Sequence, residues 1–264
     1  MKIVLIGAGN LATHLGKALL EAGHDIMQVY SRTMESASRL ATRAGGAPVT
    51  DLRAVRRDAE VYIMAVKDSV LPELIPQLCK GMPESVFIHT AGSVPMDVFK
   101  GMALHYGVLY PMQTFSKERE VDFRGIPCFV EGNDKMAKGV ITDLARSVSE
   151  KVYAMTSEKR RRLHLAAVFA CNFTNHCYDI AHEILAKQGI PFEVMLPLID
   201  ETAAKVHDLS PREAQTGPAL RFDENIIREQ SMLLKDNPLM RDLYERLSLS
   251  INQFSKKKHG HDKL

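Results

Sequence analysis

The first half of the chain alternates short apolar runs with amphipathic stretches. Ile3–Ile6 is an unbroken apolar run, the pattern of a buried strand, and Leu11–Ala22 repeats its apolar positions at helical spacing until Gly23 stops it. The same reading predicts strands over Ile26–Ser31, Val61–Val66, Val86–His89, Val108–Tyr110, Cys128–Glu131 and Val152–Met155. Helices are predicted over Met34–Ala44, Leu71–Lys80 and Lys135–Val148. Strands separated by helices of this length pair in parallel through right-handed crossovers. Beyond about Thr156 the strand signals stop. Glu158–Gln188 reads as one long helix, Gly189 ends it, and Pro191 opens the next over Phe192–Val206. After the polar loop HDLSPREAQTGPALRFD come helices over Glu224–Leu234 and Leu239–Phe254. The last carries Met240, Leu243, Leu247, Ile251 and Phe254 in one stripe. The expected fold class is α/β: a mostly parallel, doubly wound sheet over residues 1–156, then an all-helical domain over 157–264.

Gly7-Ala8-Gly9-Asn10-Leu11-Ala12 follows the first strand directly and opens the first helix. In that setting the spacing is that of a Rossmann dinucleotide turn. Gly7 allows the tight turn, Gly9 lets backbone approach a pyrophosphate, and Ala12 permits close helix–strand packing. The helix N-terminus at Asn10 and Leu11 offers free N–H groups to the phosphates. An NAD site places a carboxylate at the end of the second strand, whereas this chain has Tyr30-Ser31-Arg32-Thr33. Arg32 suits a 2′-phosphate, with Ser31 and Thr33 donating hydroxyls, so NADP(H) is the expected cofactor. A surface arginine opening the next helix is the plainer role. Ala65, Val66 and Lys67, and then Thr90, Ala91 and Gly92, lie at later strand ends and are expected to complete the cleft.

Composition narrows the partners. The chain has 264 residues, 45% hydrophobic and 25% charged, with a net charge of +2. That balance gives no basis for a nucleic-acid or membrane partner and leaves a small-molecule substrate. Cys79, Cys128, Cys171 and Cys177 match neither metal nor disulfide spacing, and reduced thiols in a cytoplasmic protein are expected. The apolar stretch Leu163–Tyr178 is interrupted by His164, Asn172, Asn175 and His176 and is too short to span a bilayer. His164, His176 and His182 are never three or four apart, so no metal site is expected. The tail SKKKHGHDKL reads as a solvated basic end.

Reduction of C=O or C=N requires a proton donor beside the hydride source. At 100° per residue, His164, Asn172 and Asn175 share one face of the long helix. His164 is the candidate proton donor or substrate anchor, with Asn172 orienting the substrate. A core histidine and interface asparagines would satisfy the same pattern. Tyr110 and Gln113 follow a strand and are candidates for the substrate's polar end, although Gln113 equally suits a turn cap. Thr216 and Arg221 bracket TGPALR, where Arg221 offers a fork for a carboxylate or phosphate. That loop is expected to reach into the cleft, from this chain or a partner subunit; a solvent loop fits the spacing as well.

GAGNLA and SRT resemble the pyrroline-5-carboxylate reductase and 3-hydroxyacid dehydrogenase superfamily. YPMQTFS at Tyr110–Ser116, LHLAAVFACNF at Leu163–Phe173 and TGPALR more closely resemble Rossmann-like proteins with a C-terminal domain of unknown function, number 2520. The resemblance implies an NADP-binding domain, a helical second domain and a homodimer built through the helices, without a substrate. One departure stands out. Where the hydroxyacid dehydrogenases carry a Lys one turn before the Asn, this chain has Val168 before Asn172. The expected function is an NADP(H)-dependent oxidoreductase acting on a small anionic carbonyl or imine compound. A non-catalytic NADP-binding regulator or scaffold is the alternative, and a deazaflavin redox partner stays open.

Overall fold

Strand β1 (Lys2–Ile6) is buried at four of its five positions and lies inside an eight-stranded sheet. Helix α1 (Asn10–Glu21) leads to β2 (Asp25–Tyr30), and α2 (Met34–Ala44) leads to β3 (Ala47–Val49). The chain then crosses to the other side of β1 through β4 (Val61–Met64), α3 (Leu71–Leu78), β5 (Val86–His89) and β6 (His105–Pro111). Strand β7 (Cys128–Gly132), α4 (Lys135–Val148) and β8 (Val152–Ala154) complete the sheet, in the order β3-β2-β1-β4-β5-β6-β7-β8. This computed structural model describes residues 1–256; the basic tail lies, from residue 257 on, outside the described residues.

All strand pairs are parallel except β6 with β7. Only a single short 3₁₀ turn, Phe123–Gly125, interrupts the connection between those two, so the chain returns antiparallel. The mostly parallel, doubly wound sheet expected from the sequence is therefore present. Because β2 and β4 flank β1 on opposite sides, the chain reverses its direction of travel at β1. A crevice for ligands opens there, beyond the carboxyl ends of the strands. One apolar layer packs α1, α2 and α4 on the sheet through Leu15, Leu19, Leu40 and Ile141. The other packs α3 through Leu71, Leu74 and Ile75.

Two strands differ from the pattern reading by more than two residues. Strand β3 was hidden because Gly45, Gly46 and Pro48 read as breakers. Strand β6 begins three residues before the predicted Val108, at His105. Gly107, which looks like an interruption, sits where an added Cβ would lie 2.0 Å from the Glu131 carbonyl oxygen. The close approach of β7 therefore demands a glycine inside the strand.

The chain divides into two compact units, Met1–Phe173 and a second from Thr174 onward. The predicted long helix spans α5 (Ser157–Ala167), a π-helical segment Val168–Phe173, and α6 (Thr174–Ala186). The wider π turns break the uniform 100° step, so Asn172 and Asn175 do not keep the phase with His164 that a regular helix would give. The second unit continues through α7 (Leu196–Asp208), α8 (Pro218–Arg221), α9 (Glu224–Leu233) and α10 (Pro238–Lys256). Among its described residues the one buried apolar side chain is Ala219. The predicted stripe on α10 is not an inward face: Leu247 and Phe254 are exposed, and Ser248 and Asn252 are the buried positions. No described helix is long and apolar enough to cross a membrane.

Candidate functional site

Gly7 has φ +112°, and a Cβ there would stand 2.3 Å from the Ala65 carbonyl oxygen. Backbone conformation and contact with the end of β4 both exclude any larger residue. Gly9, the N-cap of α1, differs: its φ is −78° and an added Cβ would meet nothing within 4 Å. Ala12 is fully buried against the sheet. No side chain caps α1 and its first turn holds no acid, so its leading N–H groups face the crevice with their partial positive charge uncompensated. Asn10 points its side chain elsewhere, donating from Nδ2 to the Phe115 carbonyl at 2.8 Å, and Leu11 is half-buried.

At the end of β2, Arg32 is exposed and makes no hydrogen bond or ion pair among the described residues. Ser31 donates its backbone N–H to Val49. Thr33 departs from the sequence reading. Its hydroxyl caps α2, accepting from the Ser36 N–H and donating to the Ser36 hydroxyl at 2.9 Å, so it is already engaged. A cavity of about 180 Å³ between α1 and α2 borders the glycine loop and brings Arg39, Arg43 and Lys117 to its walls. The loop after β4 exposes Lys67, with Ala65 and Val66 half-buried. The loop after β5 buries Thr90, Ala91 and Gly92.

The candidate chemical groups converge at that second loop. His164 Nδ1 lies 3.0 Å from the Tyr110 hydroxyl, and the two rings meet edge to face. Gly92 makes room for both: a Cβ there would stand 2.5 Å from His164 Nδ1 and 3.0 Å from Tyr110 Cζ. Burial raises the Tyr110 pKa; Arg160 opposes the shift and Asp68 adds to it. The phenol is therefore protonated and shares one hydrogen bond with His164 Nδ1, the donor being set by the protonation of the ring, and Nε2 is the imidazole nitrogen left for a ligand. Asn172 sits in the π segment and is exposed, and no polar contact joins it to His164. Gln113 is exposed, and its Oε1 accepts from the Thr114 N–H at 2.9 Å, the turn-capping role. Thr216 and Arg221 belong to the second unit. Arg221 closes the short α8 and makes no ion pair among the described residues.

Two arrangements escaped the sequence reading. The first joins the strand-end loops: the Ser93 hydroxyl donates to Asp68 Oδ2. The second is a buried clamp. Arg160, 1% exposed, donates from Nη1 to Glu131 Oε2 at 2.7 Å and from Nη2 to the Val94 carbonyl at 2.5 Å and Ser157 Oγ at 3.2 Å. Glu131 also accepts from the Ser157 N–H at 2.8 Å and hydroxyl at 2.6 Å, and Ser157 Oγ accepts from the Met96 N–H at 3.0 Å. The start of α5, strand β7 and the loop after β5 are thereby tied together. Arg160 stands one helical turn before His164, the i, i+4 relation that puts both on one face. That spacing was a usable signal. Beneath the loop, fully buried His89 accepts the Ala91 N–H on Nδ1 at 3.1 Å, and burial together with Arg160 pushes its pKa down to about 3.

Residues 2–92 match the family described as coenzyme F420-dependent NADP oxidoreductase, and residues 126–251 match a domain of unknown function, DUF2520. No curated protein matches the chain. Among solved structures, a putative NADP oxidoreductase from Bacteroides fragilis is 54% identical, with 96% of this chain and 98% of that chain covered and a TM-score of 0.92. A protein from Thermotoga maritima is 21% identical over 96% and 99% of the two chains, with a TM-score of 0.80. A pyrroline-5-carboxylate reductase from Coxiella burnetii is 18% identical over 97% of each, with a TM-score of 0.59. The last two show a shared fold.

Proposed function

Because the chain belongs to the family of the putative NADP oxidoreductase from Bacteroides fragilis, we propose that it reduces a small carbonyl or imine compound with NADPH, His164 supplying the proton. The observation that carries this reading is Gly9. Neither backbone conformation nor packing requires a glycine there, so its smallness has no explanation inside the protein, whereas a pyrophosphate laid on the uncapped α1 supplies one. The residues present fit a dinucleotide with a 2′-phosphate. The α1 N–H groups hold the pyrophosphate. Unpaired Arg32, with Ser31, holds the extra phosphate, and Thr33 contributes by capping α2 rather than by direct donation. Lys67 and the Thr90–Gly92 loop flank the remainder of the nucleotide.

When bound, the nicotinamide supplies the hydride for carbon. The chain supplies the proton, for oxygen or nitrogen. As the imidazolium, His164 donates from Nδ1 to the Tyr110 oxygen and presents Nε2–H to the substrate, so that transfer of that proton leaves a neutral ring, and the Arg160 clamp one turn away fixes the helix that carries it. Arg221 is our candidate anchor for an anionic group on the substrate, and Thr216 and Asn172 are candidates for its polar contacts. We further read the exposed Leu198, Leu233 and Leu239 of the second unit as part of a homodimer contact, since that unit buries almost no apolar side chain of its own. Free cysteines, with Cys79 and Cys128 pushed by burial up to about 12 and 11, suit a reducing cytoplasm.

Calorimetric titration with NADPH and NADH, followed by absorbance of NADPH against a panel of 2-oxo acids and cyclic imines, tests the proposal. Tight NADPH binding with oxidation by one class of compound is the expected result. Binding without oxidation by any member would point to a regulator or scaffold, and no binding of either nucleotide would refute the reading outright. Size-exclusion chromatography with light scattering tests the homodimer, and a monomer would refute it.

A further inference from the structure

One charged group at the site takes no part in the scheme above. Asp68 opens the 3₁₀ turn Asp68–Val70 in the loop after β4, and among the described residues its side chain bonds only the Ser93 hydroxyl on the loop after β5. Ser93 follows Gly92, the residue packed against both His164 and Tyr110, so the carboxylate stands on the same strand-end platform as the proton-donating pair. The other charges nearby do not neutralise it. Arg160 is fully buried and paired with Glu131, and Lys67, adjacent in the chain, is exposed and forms no ion pair with Asp68. Ser93 engages only Oδ2, so Oδ1 is available to accept from a ligand.

Resting on the reductase reading, we propose that Asp68, oriented by Ser93, makes this a site for a protonated nitrogen, so that the group reduced is a C=N bond carried as its iminium rather than a ketone. A carboxylate here acts in opposite directions on the two substrates. A carbonyl develops negative charge on oxygen as it is reduced, and a nearby carboxylate opposes that. An imine nitrogen takes a proton first, from Nε2 of the imidazolium form of His164, which is left as the neutral ring, and the resulting N–H donates to Asp68 Oδ1 in a charge-assisted hydrogen bond. The neighbouring negative charge favours the protonated form of the nitrogen. The reading also accounts for the Ser93 bond, which fixes a carboxylate that would otherwise rotate freely at an exposed loop.

The test separates recognition from turnover. Pyrrolidine, cationic at neutral pH, and neutral tetrahydrofuran are titrated by NMR into NADP⁺-saturated wild-type protein and Asp68→Asn. Pyrrolidine is expected to bind the wild type about tenfold more tightly, the ratio of one charge-assisted hydrogen bond, and Asp68→Asn should erase the gap without changing NADP⁺ affinity. A gap that survives in Asp68→Asn overturns the assignment. So does a loss of NADP⁺ affinity that weakens both probes equally, which would place Asp68 on the nucleotide's ribose instead. In parallel, NADPH oxidation is followed with 1-pyrroline and cyclopentanone. Preference for 1-pyrroline supports the proposal, and equal turnover of both with no binding gap overturns it alone. A clear gap with neither compound reduced supports the cation site and overturns the reductase reading.

Discussion

Glu131→Ala removes the acceptor at the centre of the buried clamp, and its effect can be worked from the contacts. The carboxylate receives three hydrogen bonds, two from Ser157 and one from Arg160. Its loss leaves a guanidinium at 1% exposure with the Val94 carbonyl and Ser157 Oγ as remaining acceptors, and with Nε already lacking a partner. Breaking a buried ion pair from one side costs about 3–5 kcal/mol, because the surviving charge stays buried. The two remaining acceptors place the expected loss at the lower end, about 3 kcal/mol, or on the order of 10 °C in the unfolding temperature of the first unit. Scanning calorimetry reads this directly. Removing both charges, with Glu131→Leu and Arg160→Met together, should restore most of the loss, since an apolar pair of similar volume carries no desolvation penalty. A single variant that loses less than about 1 kcal/mol, or a double variant no better than the single, would refute the argument that charge burial governs this site.

Three other outcomes are expected. Arg32→Ala should weaken NADPH by about ten- to a hundredfold and NADH by no more than about threefold, measured calorimetrically; equal losses would remove Arg32 from the 2′-phosphate pocket. Gly92→Ala places a methyl group against the His164–Tyr110 pair at an ordinary φ, so turnover should fall by about a hundredfold while stability drops by only about 1 kcal/mol; unchanged turnover would separate that pair from the chemistry. His89 sets a pH dependence: its folded pKa of about 3 lies below the ordinary 6.5, so the native state refuses a proton that the unfolded chain accepts. The stabilisation is complete above pH 6.5 and declines as pH falls toward 3, by about 2–3 kcal/mol at pH 4.5, and His89→Gln should flatten that slope in urea titrations at the two pH values.

The parts of the molecule legible in the sequence are those fixed by near neighbours. The Gly7–Ala12 turn joins β1 to α1 within a few residues, so composition and spacing were enough. The strands with unbroken apolar runs, β1, β4 and β5, were equally plain. Features set by distant contacts were not. Gly107 reads as a break until Glu131 is known to press against it. Arg160 sits in Lys159-Arg160-Arg161-Arg162, where three exposed cations disguise the buried one. Asp68 and Ser93 are 25 residues apart and become partners only because β4 and β5 are adjacent. The π turns at Val168–Phe173 have no residue type that marks them, so a uniform helical wheel drawn from His164 does not carry through to Asn172.

The glycines at positions 7 and 9 are held by different pressures. A selection for soluble, folded protein alone would tolerate many residues at position 9 and almost none at position 7, because only the latter collides with the chain's own backbone. Variation at the second position, with the first unchanged, would therefore mark a descendant that has kept its architecture while giving up its coenzyme.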